Sequence, residues 1–141
     1  MTIIAVGKMT TKGLNDTMKH YLKQIKKLEV IEVKESTMEE EAVKIHKLLK
    51  KDDYIVTLEI EGEQLSSPAL SLFLEEKKQY FGGRIVFIIG GSEGLHQSIK
   101  SISHKKISMS LMTFPHQIAR VLLVEQLYRA QKISDKHPYH K

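Results

Sequence analysis

Five apolar residues, Ile85-Val86-Phe87-Ile88-Ile89, follow one another without a polar break and stop at Gly90-Gly91-Ser92-Glu93-Gly94. A strand with one wet face alternates apolar and polar residues. An unbroken, mostly β-branched run is expected of a strand covered on both faces, as inside a parallel sheet. Helices must supply those covers, and the remaining sequence offers them. Leu14, Met18, Tyr21, Leu22, Ile25 and Leu28 recur at helical spacing over 11–28. Met38, Ala42, Ile45, Leu48 and Leu49 do so over 37–50, with Glu39–Glu41 in the first turn and Lys47 and Lys50 in the last, as the helix dipole favours. Ser66-Ser67-Pro68 starts a helix that runs to about Phe81 and stops at Gly82-Gly83. A short helix is predicted over 96–102 and a long one from Thr113 to about Lys132. Strands are predicted over 1–6, 29–33, 54–58, 85–89 and 105–109. This alternation predicts an α/β fold with a mostly parallel sheet flanked by helices. With no repeat or linker, residues 1–141 read as a single domain.

The chain has no cysteine, which excludes a disulfide scaffold, a thiolate zinc site and a cysteine nucleophile. No metal is expected. The apolar run at the amino terminus is too short for a signal peptide, and no stretch approaches the ~18 apolar residues of a membrane span. A soluble, cytoplasmic protein with no membrane partner is the expectation. Charge is unevenly placed: residues 96–141 carry a net +6, while residues 1–95 carry −1. A basic end on a neutral body suits a polyanion such as RNA, and equally a solubilising surface.

Four stretches carry chemistry. Gly90–Gly94 follows a strand, where ligands of open parallel sheets bind; it is a phosphate- or ligand-facing loop or simply a tight turn. No Gly-Lys-Ser/Thr follows it, which counts against a nucleotide hydrolase. Ser108-Met109-Ser110-Leu111-Met112-Thr113-Phe114-Pro115-His116 joins a strand to a helix; it is either an ordinary capped loop, with Thr113 as N-cap, or a backbone strip matching an adenine edge. The helix after Pro115 is apolar nearly all round, as for a helix buried by the core on one side and a second subunit on the other, or for a central helix inside a monomer. The tail His137-Pro138-Tyr139-His140-Lys141 combines a stackable ring, imidazoles and a cation, although polar termini usually fray.

Taken in order, Ala5-Val6-Gly7-Lys8, Thr57–Gly62, Phe87–Leu95, Met112–His116, Arg120–Ala130 and His137–Lys141 resemble the ribosomal RNA large subunit methyltransferase H family, a branch of the SPOUT methyltransferases. The resemblance is dense over 54–141 and thin over 11–50. The segment after Val33 is shorter than the family pattern. The resemblance implies a trefoil-knotted α/β fold and a homodimer that uses S-adenosylmethionine. It implies methylation of N3 of a pseudouridine in helix 69 of 23S ribosomal RNA, on assembled ribosomes. By matching positions, the methyl donor is expected at Leu58, Gly90, Met109, Ser110, Leu111, Met112, Thr113 and Phe114.

An imide N3 must lose its proton, so a general base is useful. His140 is the candidate, with Tyr139 packing or stacking beside it; His116 is the rival, and positioning alone is the third option. Lys105, Lys106, Arg129, Lys132 and Lys136 are the candidate RNA contacts. The alternative function is a non-catalytic ribosome- or RNA-binding module.

Overall fold

The computed structural model describes residues 1–140; the His140 side chain and Lys141 lie outside the described residues. The strands are β1 (Thr2–Val6), β2 (Glu29–Val33), β3 (Tyr54–Gln64), β4 (Ile85–Ile89) and β5 (Lys105–Ser108). The helices are α1 (Lys12–Leu22), α2 (Met38–Leu48), α3 (Ser67–Tyr80), α4 (Gln97–Ile102) and α5 (His116–Ser134). The strands form one sheet in the order β2-β1-β4-β3-β5, and every pairing is parallel. The apolar run that opened the sequence is the central strand, buried at every residue.

Strand periodicity divides this sheet into two cores. Ile3, Ala5, Phe87 and Ile89 face one side, where they pack with Met18 of α1, Leu70 and Leu74 of α3, and Leu123 and Leu127 of α5. Ile4, Val6, Val86 and Ile88 face the other, beneath Ala42 and Ile45 of α2 and Ile99 of α4. Each large apolar side chain buried in this way contributes about 1.5–3 kcal/mol. Thr37 caps α2 by accepting from the Glu40 N–H (3.2 Å), and Ser66 caps α3 by accepting from Ala69 (3.2 Å).

Three boundaries differ from the sequence expectation. Helix α1 ends at Leu22, not near Leu28, and the chain turns through Lys27, whose φ is 56°. Ile25 remains buried although it is no longer helical, so the apolar spacing marked a core contact and not a continuing helix. Helix α5 begins at His116, with Pro115 rather than Thr113 at the cap. Proline disfavours helical geometry in the residue before it, which keeps Phe114 extended. Strand β3 runs on to Gln64, because its far end pairs with β5 a second time. Among the described residues, no helix is long and apolar enough to cross a membrane.

At the amino-terminal edge of the sheet, Arg84 grips Asp53 through two bonds, Nε–Oδ1 at 2.8 Å and Nη2–Oδ2 at 3.1 Å. The same guanidinium donates to the Leu48 carbonyl at 2.7 Å, and Asp53 accepts from the Lys50 N–H at 2.7 Å. Burial opposes ionisation of Asp53, but the hydrogen bonds from Arg84 and Lys50 outweigh it and hold the carboxyl below its ordinary value. A depressed folded-state value means that this stabilisation is complete above the ordinary aspartate range and is lost as pH falls through the folded value. Asp53→Asn is therefore expected to destabilise the chain by about 2–4 kcal/mol near neutrality and to flatten the acid limb below about pH 4. Denaturant melts from pH 3 to 7 check both effects.

Candidate functional site

Because all five strands are parallel, their carboxyl ends meet at one edge, and the strand-following loops converge there. Strand β3 departs from regular pairing at this edge. Leu58 and Glu63 both lie opposite Ile107, so residues 59–62 bulge out between two contacts with β5. Gly62 rests directly on the β5 backbone; a Cβ there would sit 2.7 Å from the Ile107 carbonyl carbon. Only glycine fits this approach.

The bulge opens a cavity of about 370 Å³. Leu58, Leu65, Phe87, Ile107, Met109 and Phe114 line it with apolar surface, and Ser66, Ser67, Ser108 and Gln126 add polar groups. The Ser67 hydroxyl donates to Gln126 Oε1 at 2.6 Å, closing one end. An apolar slot with a few polar groups at its margin suits a flat heterocycle with a polar arm.

Of the eight positions expected to hold a ligand, Leu58, Met109 and Phe114 line this cavity. Ser110 shapes the loop: its carbonyl accepts from the Ser108 hydroxyl (2.9 Å), and its own hydroxyl accepts from the Met112 N–H (3.0 Å). Thr113 is exposed, and Leu111 and Met112 are 78% and 74% exposed beside the cavity. Gly90 ends β4 against the return of its own loop, where a Cβ would meet the Gly94 carbonyl carbon at 2.7 Å. Gly91 and Gly94 bridge, and Gly94 has φ +80°, so the turn is built on glycine. Sequence reasoning missed Leu65, Ser66, Ser67, Leu122 and Gln126. Ser66-Ser67-Pro68 was visible as a helix start, but its place beside the site depends on the bulge in β3.

The tail is anchored rather than frayed. Helix α5 ends with Lys136 at φ 55°, where the His137 N–H donates to the Lys132 carbonyl (2.8 Å) and the Lys136 N–H to Ile133 (3.0 Å). This bond pair turns the chain back, and Pro138–His140 forms a single 3-10 turn. The Tyr139 ring packs edge-on against Tyr128 at 4.7 Å, with the Arg129 guanidinium 4.9 Å above it. Its hydroxyl lies 3.1 Å from Glu125 Oε1 and 3.3 Å from the Tyr21 hydroxyl. The Tyr21 bond, burial and the Glu125 carboxylate all push the phenol well above its ordinary value, so Tyr139 stays protonated. It acts here as a latch and does not line the cavity. His140 carries the other tail assignment, and its side chain lies outside the described residues.

His116 lodges against Gly7 at the end of β1: a Cβ on Gly7 would lie 2.8 Å from its ring, and its Nδ1 is buried without a partner. Nearby, the fully buried Arg120 reaches Glu32 (2.6 Å) and the Gly7 carbonyl (2.8 Å). These contacts tie α5 to the end of β1. The basic residues divide into two groups. Lys105 is paired with Glu63 at 2.6 Å, and Arg129 is bound to Glu125 at 2.6 and 3.0 Å. Lys132 lies 5.3 Å from the Tyr128 ring centroid. Lys106 and Lys136 are exposed.

A parallel α/β sheet with an apolar slot among its carboxyl-end loops places the chain among the open-sheet α/β proteins, whose ligands bind at that edge. A family model described as "Predicted SPOUT methyltransferase" matches residues 1–140. Ribosomal RNA large subunit methyltransferase H of Acholeplasma laidlawii is 46% identical over 143 residues, covering 99% of this chain and 97% of that protein. The protein of the same name from Synechococcus sp. (strain CC9311) is 40% identical, covering 99% and 94%. Among solved structures, the SpoU methyltransferase AviRb from Streptomyces viridochromogenes, in complex with the cofactor AdoMet, superposes with a TM-score of 0.52 at 11% identity. That superposition covers 95% of this chain and 58% of the other, and it supports the fold. The chain belongs to the SPOUT methyltransferases, in the ribosomal RNA large subunit methyltransferase H family.

The glycine contacts predict a localised failure. Gly62→Ala must part β3 from β5, and an overpacking cost of about 1–3 kcal/mol is expected together with loss of the cavity's shape. Thermal melts and ligand titration of the variant check this. A variant with wild-type stability and wild-type ligand affinity contradicts the close approach.

Proposed function

We propose that the chain transfers a methyl group from S-adenosylmethionine to N3 of a pseudouridine in helix 69 of 23S ribosomal RNA, on assembled ribosomes in the cytoplasm. The observation that carries this reading is the cavity bounded by Leu58, Met109 and Phe114, formed by the same loops that the family motifs mark. Its residues fit the donor: the apolar walls suit the adenine ring, and the Ser108–Phe114 backbone offers donors and acceptors at its edge. We assign the donor site to Leu58, Gly90, Met109, Ser110, Leu111, Met112, Thr113 and Phe114.

S-adenosylmethionine supplies an already activated methyl group, so no covalent enzyme intermediate is needed. The chain's task is to hold the acceptor nitrogen in line, and such positioning supplies on the order of 7–11 kcal/mol. The N3 proton must also leave. His140 is assigned as the base that takes it, and Tyr139 as the latch that places the tail. The lodging of His116 against Gly7 supports this choice over His116.

The site works as a homodimer in this reading. Leu111 and Met112, on the loop that supplies Met109 and Phe114 to the cavity, stand in solvent, and Ile118 in the first turn of α5 is 38% exposed. Apolar side chains at the mouth of a site call for a cover, and a second subunit supplies it while presenting its tail to the cavity. The fold assigned to the chain is the trefoil-knotted form of the SPOUT class, as the family membership supports. Lys106, Lys132 and Lys136 are the assigned RNA contacts, with Lys105 and Arg129 recruited from their internal ion pairs.

Methyl-labelled donor with undermethylated ribosomes or free RNA provides the test. Label is expected on one pseudouridine, at N3. RNA binding without any donor-induced thermal shift or label would instead define a non-catalytic ribosome-binding module. Deleting residues 138–141 is expected to lower transfer by ~10²–10⁴-fold while donor affinity is retained. Full activity after the deletion removes the tail from the mechanism.

A further inference from the structure

Helices α3 and α5 lie side by side over the sheet, and the donor cavity occupies only one end of the groove between them. The Ser71 hydroxyl donates to the Ala130 carbonyl at 2.9 Å and staples the two helices. Toward the amino-terminal edge of the sheet, the groove opens into a second cavity of about 440 Å³. Leu74 and Leu127 belong to its apolar lining, and Lys26, Lys27, Lys77, Lys78 and Arg84 all contribute to its wall. Glu75 and Asp135 are the acids that line it.

Most of these cations are already engaged. Arg84 holds Asp53, Lys78 holds Glu75 at 3.0 Å, and Lys77 lies 4.7 Å from the Tyr54 ring centroid. Lys26 and Lys27 have no acidic partner among the described residues. Their turn is nevertheless fixed. The Lys26 N–H donates to Gln131 Oε1 (3.2 Å), the Gln131 amide donates to the Gln24 carbonyl (3.2 Å), and the Met1 amino group donates to the Lys27 carbonyl (2.9 Å). That amino group is pushed below its ordinary value first by burial and then by Lys78 and Arg84, with Glu29 opposing. The non-glycine residues held at positive φ are Lys27 and Lys136, both lysines where glycine would be unstrained. Lys136 adjoins Asp135 of the cavity wall.

We propose that this second cavity is a phosphate-binding subsite for the backbone of the RNA substrate, with Lys26 and Lys27 as its anion ligands. The proposal rests on the RNA-substrate reading above. The two cavities share α3 and α5 and adjoin along α5, where Gln126 lines the first and Leu127 the second; their far linings on this helix, Leu122 and Gln131, are separated by about 14 Å along the axis at 1.5 Å per residue. That separation suits a strand whose base is presented at one end of the groove while a phosphate a few nucleotides away is gripped at the other. Lys26 and Lys27 are exposed cations without acidic partners on a turn whose backbone is fixed, and an apolar floor beneath them strengthens their attraction for a phosphate.

The test compares wild type, the pair Lys26→Ala with Lys27→Asn, and a control pair Lys44→Ala with Lys47→Ala on α2, across the sheet. Asparagine tolerates the left-handed turn at 27, so the fold is retained. Binding to undermethylated ribosomes is measured between 50 and 200 mM salt, alongside donor-induced thermal shifts. The Lys26/Lys27 variant is expected to show a log–log salt slope shallower by about 2 and affinity at 50 mM lower by at least about tenfold. Its donor shift and the control pair's ribosome binding are expected to match wild type. Equal slopes for wild type and the Lys26/Lys27 variant overturn the proposal while leaving the methyltransferase reading intact. A thermal shift with inorganic pyrophosphate that the variant loses, together with unchanged ribosome-binding slopes, assigns the cavity to a free phosphorylated compound and also overturns it. Absence of ribosome binding by wild type overturns both this proposal and the RNA-substrate reading.

Discussion

Everything in this chain is arranged around a central strand with no free face and no free edge. Ile85–Ile89 lies between β1 and β3 and beneath helices on both sides, and each of its residues is buried. Nothing can bind along such a strand. Chemistry is driven to its two ends, where the backbone must turn and polar groups must find partners. At the carboxyl end the chain turns on Gly90, Gly91 and Gly94, and the neighbouring strand bulges over Ile107. At the amino end Arg84 enters the strand while bound to Asp53, on the wall of a cationic cavity.

Helix α5 connects these ends. It is apolar around most of its circumference because it packs against α1, α3 and the sheet together. The buried Arg120 fastens its start to β1, and Glu125 and Arg129 fasten its return, through Tyr139, to α1. Removing either partner of a buried charged pair leaves the other uncompensated, so such ties fix the position of the helix more than they add net stability. The tail leaves α5 from a defined point, as a segment that serves a site must.

Much of this architecture was legible in the sequence. The unbroken run at 85–89 identified a two-faced strand, apolar spacing identified α1 and α2, and the Ser66-Ser67-Pro68 start and Gly82-Gly83 stop identified α3. Legibility failed where tertiary contacts set the backbone. Ile25 and Leu28 keep helical spacing yet lie in a turn, since both reach the same core from a different conformation. The return of β3 over Ile107 has no local signature beyond Gly62, and the roles of Leu65, Ser67 and Gln126 depend on that return. Leu58, Met109 and Phe114 were found through family motifs; periodicity alone marked only the glycine turn and the Ser/Met/Thr loop. Lys26 and Lys27 fall inside the 11–28 segment whose spacing reads as a helix, and only the turn at φ 56° and the cavity beside it set them apart.

The account stands on one placement, that of the methyl donor in the slot beyond β3 and β5. A crystal structure of the chain with the demethylated donor, S-adenosylhomocysteine, tests it most directly. The account predicts the adenine ring enclosed by Leu58, Met109 and Phe114, with hydrogen bonds to the main chain of residues 108–114. Density for that compound elsewhere, or a slot still closed by its own side chains at saturating ligand, would contradict it.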